Sequence, residues 1–155
     1  MEVISHELFT RKIGNFTVSE FCVTGNPPSP EIAGAIIVYH ITPLNVCRKI
    51  YGKPILVSKK AGYRPRAYEV SKGRTGNSQH NYEEMHPKGI GATDITSEKE
   101  EDLIPILIEN TEYTRICHYP NNGFIHGDYK PTPSGKRELY TCKSLTSKWE
   151  LLSAF

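Results

Sequence analysis

Two histidines and one aspartate are the residues whose types and positions could do chemistry together. His80 ends the polar run Asn77-Ser78-Gln79-His80, and Asp94 opens a strand-like stretch after Gly89-Ile90-Gly91-Ala92-Thr93. His126 lies in Phe124-Ile125-His126 and is followed by Gly127-Asp128. Two imidazoles and a carboxylate on strand ends form the ligand set of a catalytic zinc, with the fourth position left for water. Zinc held this way lowers the pKa of water to about 7 and polarises a carbonyl. Scattered His and Asp residues are more often plain surface groups, so residue types alone leave both readings open. Of the other histidines, His40 falls on an apolar helix face and reads as a packed core residue. His6 has no partner in view. His118 reads as a strand histidine or as the outer partner of a ligand, and His86 lies between His80 and Asp94.

The elements that must position these groups follow from periodicity. Ala33, Ile36, Ile37, His40, Leu44, Cys47 and Ile50 recur at helical steps. Pro43 is expected to kink or split that helix, because it has no N–H for the preceding turn, and Gly52 to close it. Ile55-Leu56-Val57-Ser58 reads as a strand. Residues 59–88 are polar and glycine-containing and read mostly as loop, of a length that tends to be functional or mobile. Ser97-x-x-Glu100 is a possible capping box before a helix over Leu103–Ile108, with Pro105 limiting its regular length. Three strand-like runs follow, 113–119, 124–129 and 137–142, joined by segments of turn chemistry. Helices first and an antiparallel meander last make an α+β pattern: N-terminal helices packed on a small, mainly antiparallel sheet that carries the site.

Composition narrows the class. The chain has 155 residues, a length that suits one domain. With 37% hydrophobic and 10% aromatic residues it is too apolar for a disordered chain. No stretch approaches the ~20 apolar residues of a membrane span. Lys and Arg number 19 against 17 Asp and Glu, so the net charge of +2 does not mark a dedicated nucleic-acid binder. A local basic run, Lys59, Lys60, Arg64, Arg66, Lys72 and Arg74 with Tyr63 and Tyr68 interleaved, would suit single-strand stacking. A solvated loop explains it as well, and no nucleic-acid partner is expected. Cys22, Cys47, Cys117 and Cys142 form no CxxC pair and read as buried free thiols.

In order along the chain, Gly62-Tyr63-Arg64, Ser78-x-His80, Gly91-Ala92-x-Asp94 and Phe124-Ile125-His126-x-Asp128 resemble the zinc D-alanyl-D-alanine carboxypeptidase family, which includes bacterial wall-trimming peptidases and phage endolysin peptidases. The likeness covers roughly residues 18–142, leaving 1–17 and 143–155 as peripheral extensions of a single peptidase domain. It implies that His80, Asp94 and His126 hold one zinc ion. It also implies that Arg64 binds a substrate carboxylate or steadies the oxyanion, and that Ser78 touches the substrate from the same wall. The implied activity is hydrolysis of peptidoglycan stem peptides, at the terminal D-Ala–D-Ala bond or at an L-Ala–D-Glu type bond. The implied protein is a monomer, without membrane insertion. The N-terminus carries no secretory signal, so an endolysin-like enzyme that stays in the cytoplasm until it reaches the wall is expected.

Two departures from the family pattern matter. His80 and Asp94 are fourteen positions apart, farther than is usual in the family, and the added residues include Glu83, Glu84 and His86. His80 is preferred as ligand because Ser78-x-His80 keeps the family's Ser–His spacing; His86 is the alternative. Relatives often have an acidic residue or a histidine shortly before the last ligand, whereas here Asn121 to Ile125 precede it. Asp128 is the nearest carboxylate, and period two puts it on the face of His126 if both lie in a strand. It could serve as general base or as a partner that orients His126; Glu83 and Glu84 are the other candidate bases. The rival reading is a non-catalytic, zinc-containing cell-wall-binding or phage structural module of the same fold.

Overall fold

A computed structural model describes residues 2–58, 62–74, 78–82 and 90–155. The helical layer comes first. The short helix α1 (His6–Thr10) is capped by Ser5, whose side chain accepts from Leu8 N–H. A 3-10 turn (Val18–Phe21) follows, with a full capping box between Thr17 and Glu20. Next come α2 (Pro30–Ala35), a π-helical segment (Ile36–Ile41) and α3 (Thr42–Tyr51). The backbone stays helical through all three, and the interruption expected at Pro43 takes the form of the π-helical segment just before it. The chain widens by one residue before the proline, with Thr42 N–H donating to Ile37 C=O, and Pro43 falls in the first turn of α3. The Tyr39 carbonyl, four residues before Pro43, instead accepts from the Tyr129 hydroxyl at 2.7 Å. Gly52 ends α3 in the left-handed region at φ 74°, as expected of a helix C-terminus.

Six strands build one mixed sheet: β1 (Ile55–Val57), β2 (Ala92–Ser97), β3 (Arg115–Tyr119), β4 (Phe124–Asp128), β5 (Glu138–Thr141) and β6 (Glu150–Ala154), in the order β1-β2-β4-β3-β5-β6. Four of its five pairings are antiparallel. The exception corrects the expected meander: β5 returns beside β3, not β4, and runs parallel to it. The fold is thus α+β with a mainly antiparallel sheet. Among the described residues, two helices lie between strands, α4 (Arg66–Ser71) and α5 (Glu100–Asn110). The first is a six-residue helix within the stretch 59–88, whose other described residues lie outside helices and strands, in keeping with the reading of mostly loop. The second runs through Pro105 to Asn110, and its expected capping box does not form. Ser97 ends β2, and the Tyr51 hydroxyl takes over at the helix start, accepting from Lys99 N–H at 3.0 Å.

The two faces of the sheet differ because neighbouring side chains alternate. Ile95, Ile116 and Ile125 belong to the buried cluster that also contains Ile36, Ile41, Leu44, Leu103 and Leu107, so one face carries the helices. The register pairs Asp94 with His126 and His126 with Cys117, which places these three on the other face. All four cysteines are buried and free. Within 1–17, Phe9 and Phe16 are core residues, and 143–155 supplies the sheet's edge strand β6. Among the described residues, no helix is long and apolar enough to cross a membrane.

His40 is the core histidine its helical position predicts, fully buried. Its Nε2 lies 2.7 Å from the Ile90 carbonyl and must donate, so Nδ1 accepts from the Tyr113 hydroxyl at 2.9 Å. Burial pushes its pKa down to about 4, which keeps the ring neutral. The pair ties the helical layer to the residues just before β2. Gly127 makes room for it, because a Cβ there would lie 2.9 Å from the Tyr113 ring. Tyr113→Phe leaves Nδ1 buried without a donor and is expected to cost about 1–3 kcal/mol of stability. Urea unfolding measures this, and an unchanged midpoint would contradict the pairing.

Candidate metal centre

The sheet delivers Asp94 and His126 from adjacent strands, and a pinned loop delivers His80. Gly62-Tyr63-Arg64 is laced to the end of the 3-10 turn: Tyr63 N–H donates to Phe21 C=O, and Val23 N–H donates to Tyr63 C=O at 3.1 Å. Only glycine fits at 62, since a Cβ would lie 2.2 Å from the Phe21 carbonyl oxygen. This strip holds His80 twice. Arg64 N–H donates to His80 C=O at 2.8 Å, and His80 Nδ1–H donates to Gly62 C=O at 2.9 Å. Ser78 Oγ accepts from His80 N–H at 3.2 Å, a contact that shapes the turn. Tyr82 closes the segment, its hydroxyl on Ala92 C=O at 3.0 Å and its ring in the space left by Gly91.

His80, Asp94 and His126 meet. Their ligand atoms all lie within 4.8 Å of one another, and the three residues are largely buried. His80 Nε2 is 3.4 Å from Asp94 Oδ2, and His126 Nδ1 is 2.8 Å from Asp94 Oδ1. Ligands about 2.0–2.1 Å from a tetrahedral zinc stand roughly 3.3 Å apart, close to the first of these separations. The donor chemistry fits as well. Each histidine has its outer nitrogen on an acceptor, His80 on Gly62 C=O and His126 Nε2 on Asp128 Oδ2 at 2.7 Å, so the other nitrogen faces Asp94 and is the one that could bind a metal ion. Burial alone would raise the Asp94 carboxyl, yet His80 and His126 hold it well below the usual carboxylate range. Burial would lower His126, but its hydrogen bonds to Asp128 and Asp94 outweigh that and lift it to about 9.

Arg64 borders the triad, with Nη2 3.8 Å from Asp94 Oδ2. Its Nη1 is held 3.1 Å from Glu69 Oε1, and the other Glu69 oxygen takes Arg74 Nη1 at 2.9 Å. Glu69 is a buried residue of α4 that residue spacing did not single out. Arg115 was also missed. It grips Asp128 through Nε and Nη2 at 2.9 and 2.5 Å, and Lys130 N–H adds a third donor at 3.0 Å. Trp149, placed by sequence in a peripheral extension, packs its ring 5.3 Å from that of His126. The signal for Arg115 was its period-two spacing with Cys117; for Trp149 it was only that the chain has a single tryptophan.

This geometry bears on two readings left open above, those of Asp128 and His118. Asp128 is fully buried, saturated by Arg115, Lys130 N–H and His126, and lies on Nε2, across the imidazole from the Nδ1 that faces Asp94. Although burial alone would raise it, His126 and Arg115 hold its carboxyl well below the usual range. This placement is that of a group orienting His126 and argues against Asp128 as general base. His118 pairs with Ile125, on the sheet face opposite His126, and takes no part. Glu83, Glu84 and His86, like Lys59 and Lys60 of the basic run, lie outside the described residues.

Comparison with family models, with curated proteins and with solved structures gives no match to this chain.

Proposed function

We propose that this chain is a zinc-dependent peptidase acting on peptidoglycan stem peptides, of the kind its motifs resemble. The observation that carries the reading is the convergence of His80 Nε2, Asp94 and His126 Nδ1 within 4.8 Å, each histidine with its outer nitrogen held. A zinc ion bound by these residues supplies water that ionises near neutral pH and a Lewis acid for the scissile carbonyl. The protein's own groups do the remaining work. In amide hydrolysis a water oxygen adds to the carbonyl carbon, the carbonyl oxygen takes up negative charge, and the leaving nitrogen needs a proton. Arg64, steadied by Glu69, supplies fixed positive charge beside the triad for that oxyanion or for a substrate carboxylate. Asp128 keeps Nε2 of His126 occupied, so that Nδ1 points inward.

The proton shuttle then falls to Glu83 or Glu84, three and four positions after His80. Glu83→Gln and Glu84→Gln, made separately, test it: one of them is expected to cut turnover about 10²–10⁴-fold while leaving zinc content intact. Wild-type turnover in both would remove the assignment.

The saturated Asp128 also favours a second reading, a metal-containing module of the same fold without catalysis. Mass spectrometry of purified peptidoglycan after incubation with the protein separates the two. The peptidase reading expects chelator-sensitive cleavage and identifies the bond. Stem peptides left uncut by zinc-loaded protein between pH 6 and 9, a range spanning about 7 where zinc-bound water ionises, would favour the module.

A further inference from the structure

β6 is exposed at all five of its residues, yet the residue just before it is inserted against the metal centre. The Trp149 ring carries the Arg115 guanidinium 4.6 Å from its centre, lies 5.3 Å from the His126 ring, and donates Nε1–H to the Tyr119 hydroxyl at 2.6 Å. The connection that brings it there wraps around the buried Cys142. That thiol lies 3.0 Å from the Ser144 carbonyl oxygen and 3.4 Å from that of Ser147. Trp149 therefore ends a continuous series of contacts: indole on Arg115, Arg115 on Asp128, Asp128 on His126 Nε2, and His126 Nδ1 at the ligand cluster.

We propose that Trp149 is a positioning residue for the metal centre, acting through Arg115 and Asp128 on His126, and that metal binding and the docking of β6 therefore strengthen one another. This rests on the zinc reading above. The physical reason is desolvation and shape. A guanidinium is held firmly over an indole face. With the ring removed, water reaches the Arg115–Asp128 pair, the carboxylate loses its single orientation, and the imidazole it holds is freer to turn. Loss of such an outer partner typically weakens metal binding about 10–100-fold. Because coupling is reciprocal, zinc must stabilise the docked state of the strand by the same factor that undocking weakens zinc.

Competition with a chromophoric chelator gives the zinc affinity of the native chain, Trp149→Ala and Trp149→Phe. The alanine variant is expected to bind about 10–100-fold more weakly. Phenylalanine keeps an aromatic face under Arg115 and is expected to stay within about threefold of native. A residue that only stabilised the fold would shift the melting of the metal-free protein and leave zinc affinity alone. Hydrogen exchange on the native chain provides the second measurement, which needs no variant to fold. Amides of β6 are expected to exchange about 10–100-fold more slowly with zinc bound. Native protein that binds zinc overturns this inference alone if Trp149→Ala binds it equally well, or if β6 exchange is indifferent to the metal. A native chain that takes up no zinc overturns the metal reading and this inference together.

Discussion

His126→Ala is expected to weaken zinc binding by about a hundred- to a thousandfold and to abolish amide hydrolysis with it. An apparent zinc binding free energy of about 10 kcal/mol or more, shared among three protein ligands, puts ~3 kcal/mol or more on each. His126 carries more than its donor atom, because it stands between two carboxylates. Its Nδ1 lies 2.8 Å from Asp94 and its Nε2 2.7 Å from Asp128. Alanine removes a ligand and leaves Asp94 without the neighbour that holds it. The result is read by chelator competition, with His86→Ala as the companion variant. His86 is the other histidine near the motif, and its removal is expected to leave zinc affinity unchanged. Loss of zinc in His86→Ala with retention in His80→Ala would exchange the two assignments.

Arg115→Ala is expected to destabilise the fold by about 3–5 kcal/mol, the range for removing one partner of a buried ion pair. Asp128 is fully buried, and the Arg115 side chain is only 18% exposed. The pair is a fork, with Nε 2.9 Å from one carboxylate oxygen and Nη2 2.5 Å from the other. A planar guanidinium can make both bonds at once; an ammonium cannot. Arg115→Lys therefore restores the charge without the fork and is expected to fall between native and alanine in chemical denaturation. The ordering native, lysine, alanine is the informative part. A lysine variant as stable as native would mean that charge alone matters, and an alanine variant as stable as native would contradict the pairing.

The meeting of His80, Asp94 and His126 was legible because each keeps recognisable neighbours. Ser78-x-His80, Ala92-x-Asp94 and Phe124-Ile125-His126 are local strings, and the strands that carry Asp94 and His126 have the apolar alternation that announces them. What surrounds the triad was not legible, for physical reasons. Arg115 acts by facing Asp128 across the β3–β4 register, and a register is set by pairing, not by composition. Trp149 reaches His126 because β5 lies parallel to β3 and β6 folds back on β5, a crossover invisible to local pattern. Glu69 lies in a six-residue helix, α4, whose surroundings are polar and rich in turn residues. Pro43 marked the interruption of the helix, but not the form that it takes. Its missing donor is a local fact and the π-helical widening lies just before it, but the Tyr129 hydroxyl that takes up the Tyr39 carbonyl comes from elsewhere in the chain. The side chains that cluster were visible in the sequence; those that hold them in place became visible only in three dimensions.

The most direct test is the zinc content of the purified native chain, measured by elemental analysis after exhaustive dialysis, beside His80→Ala, Asp94→Ala and His126→Ala. The site described here predicts one zinc per native chain and substoichiometric zinc in each of the three variants, all of them folded. A native chain without zinc, or a His80→Ala variant that retains a full equivalent, would contradict it.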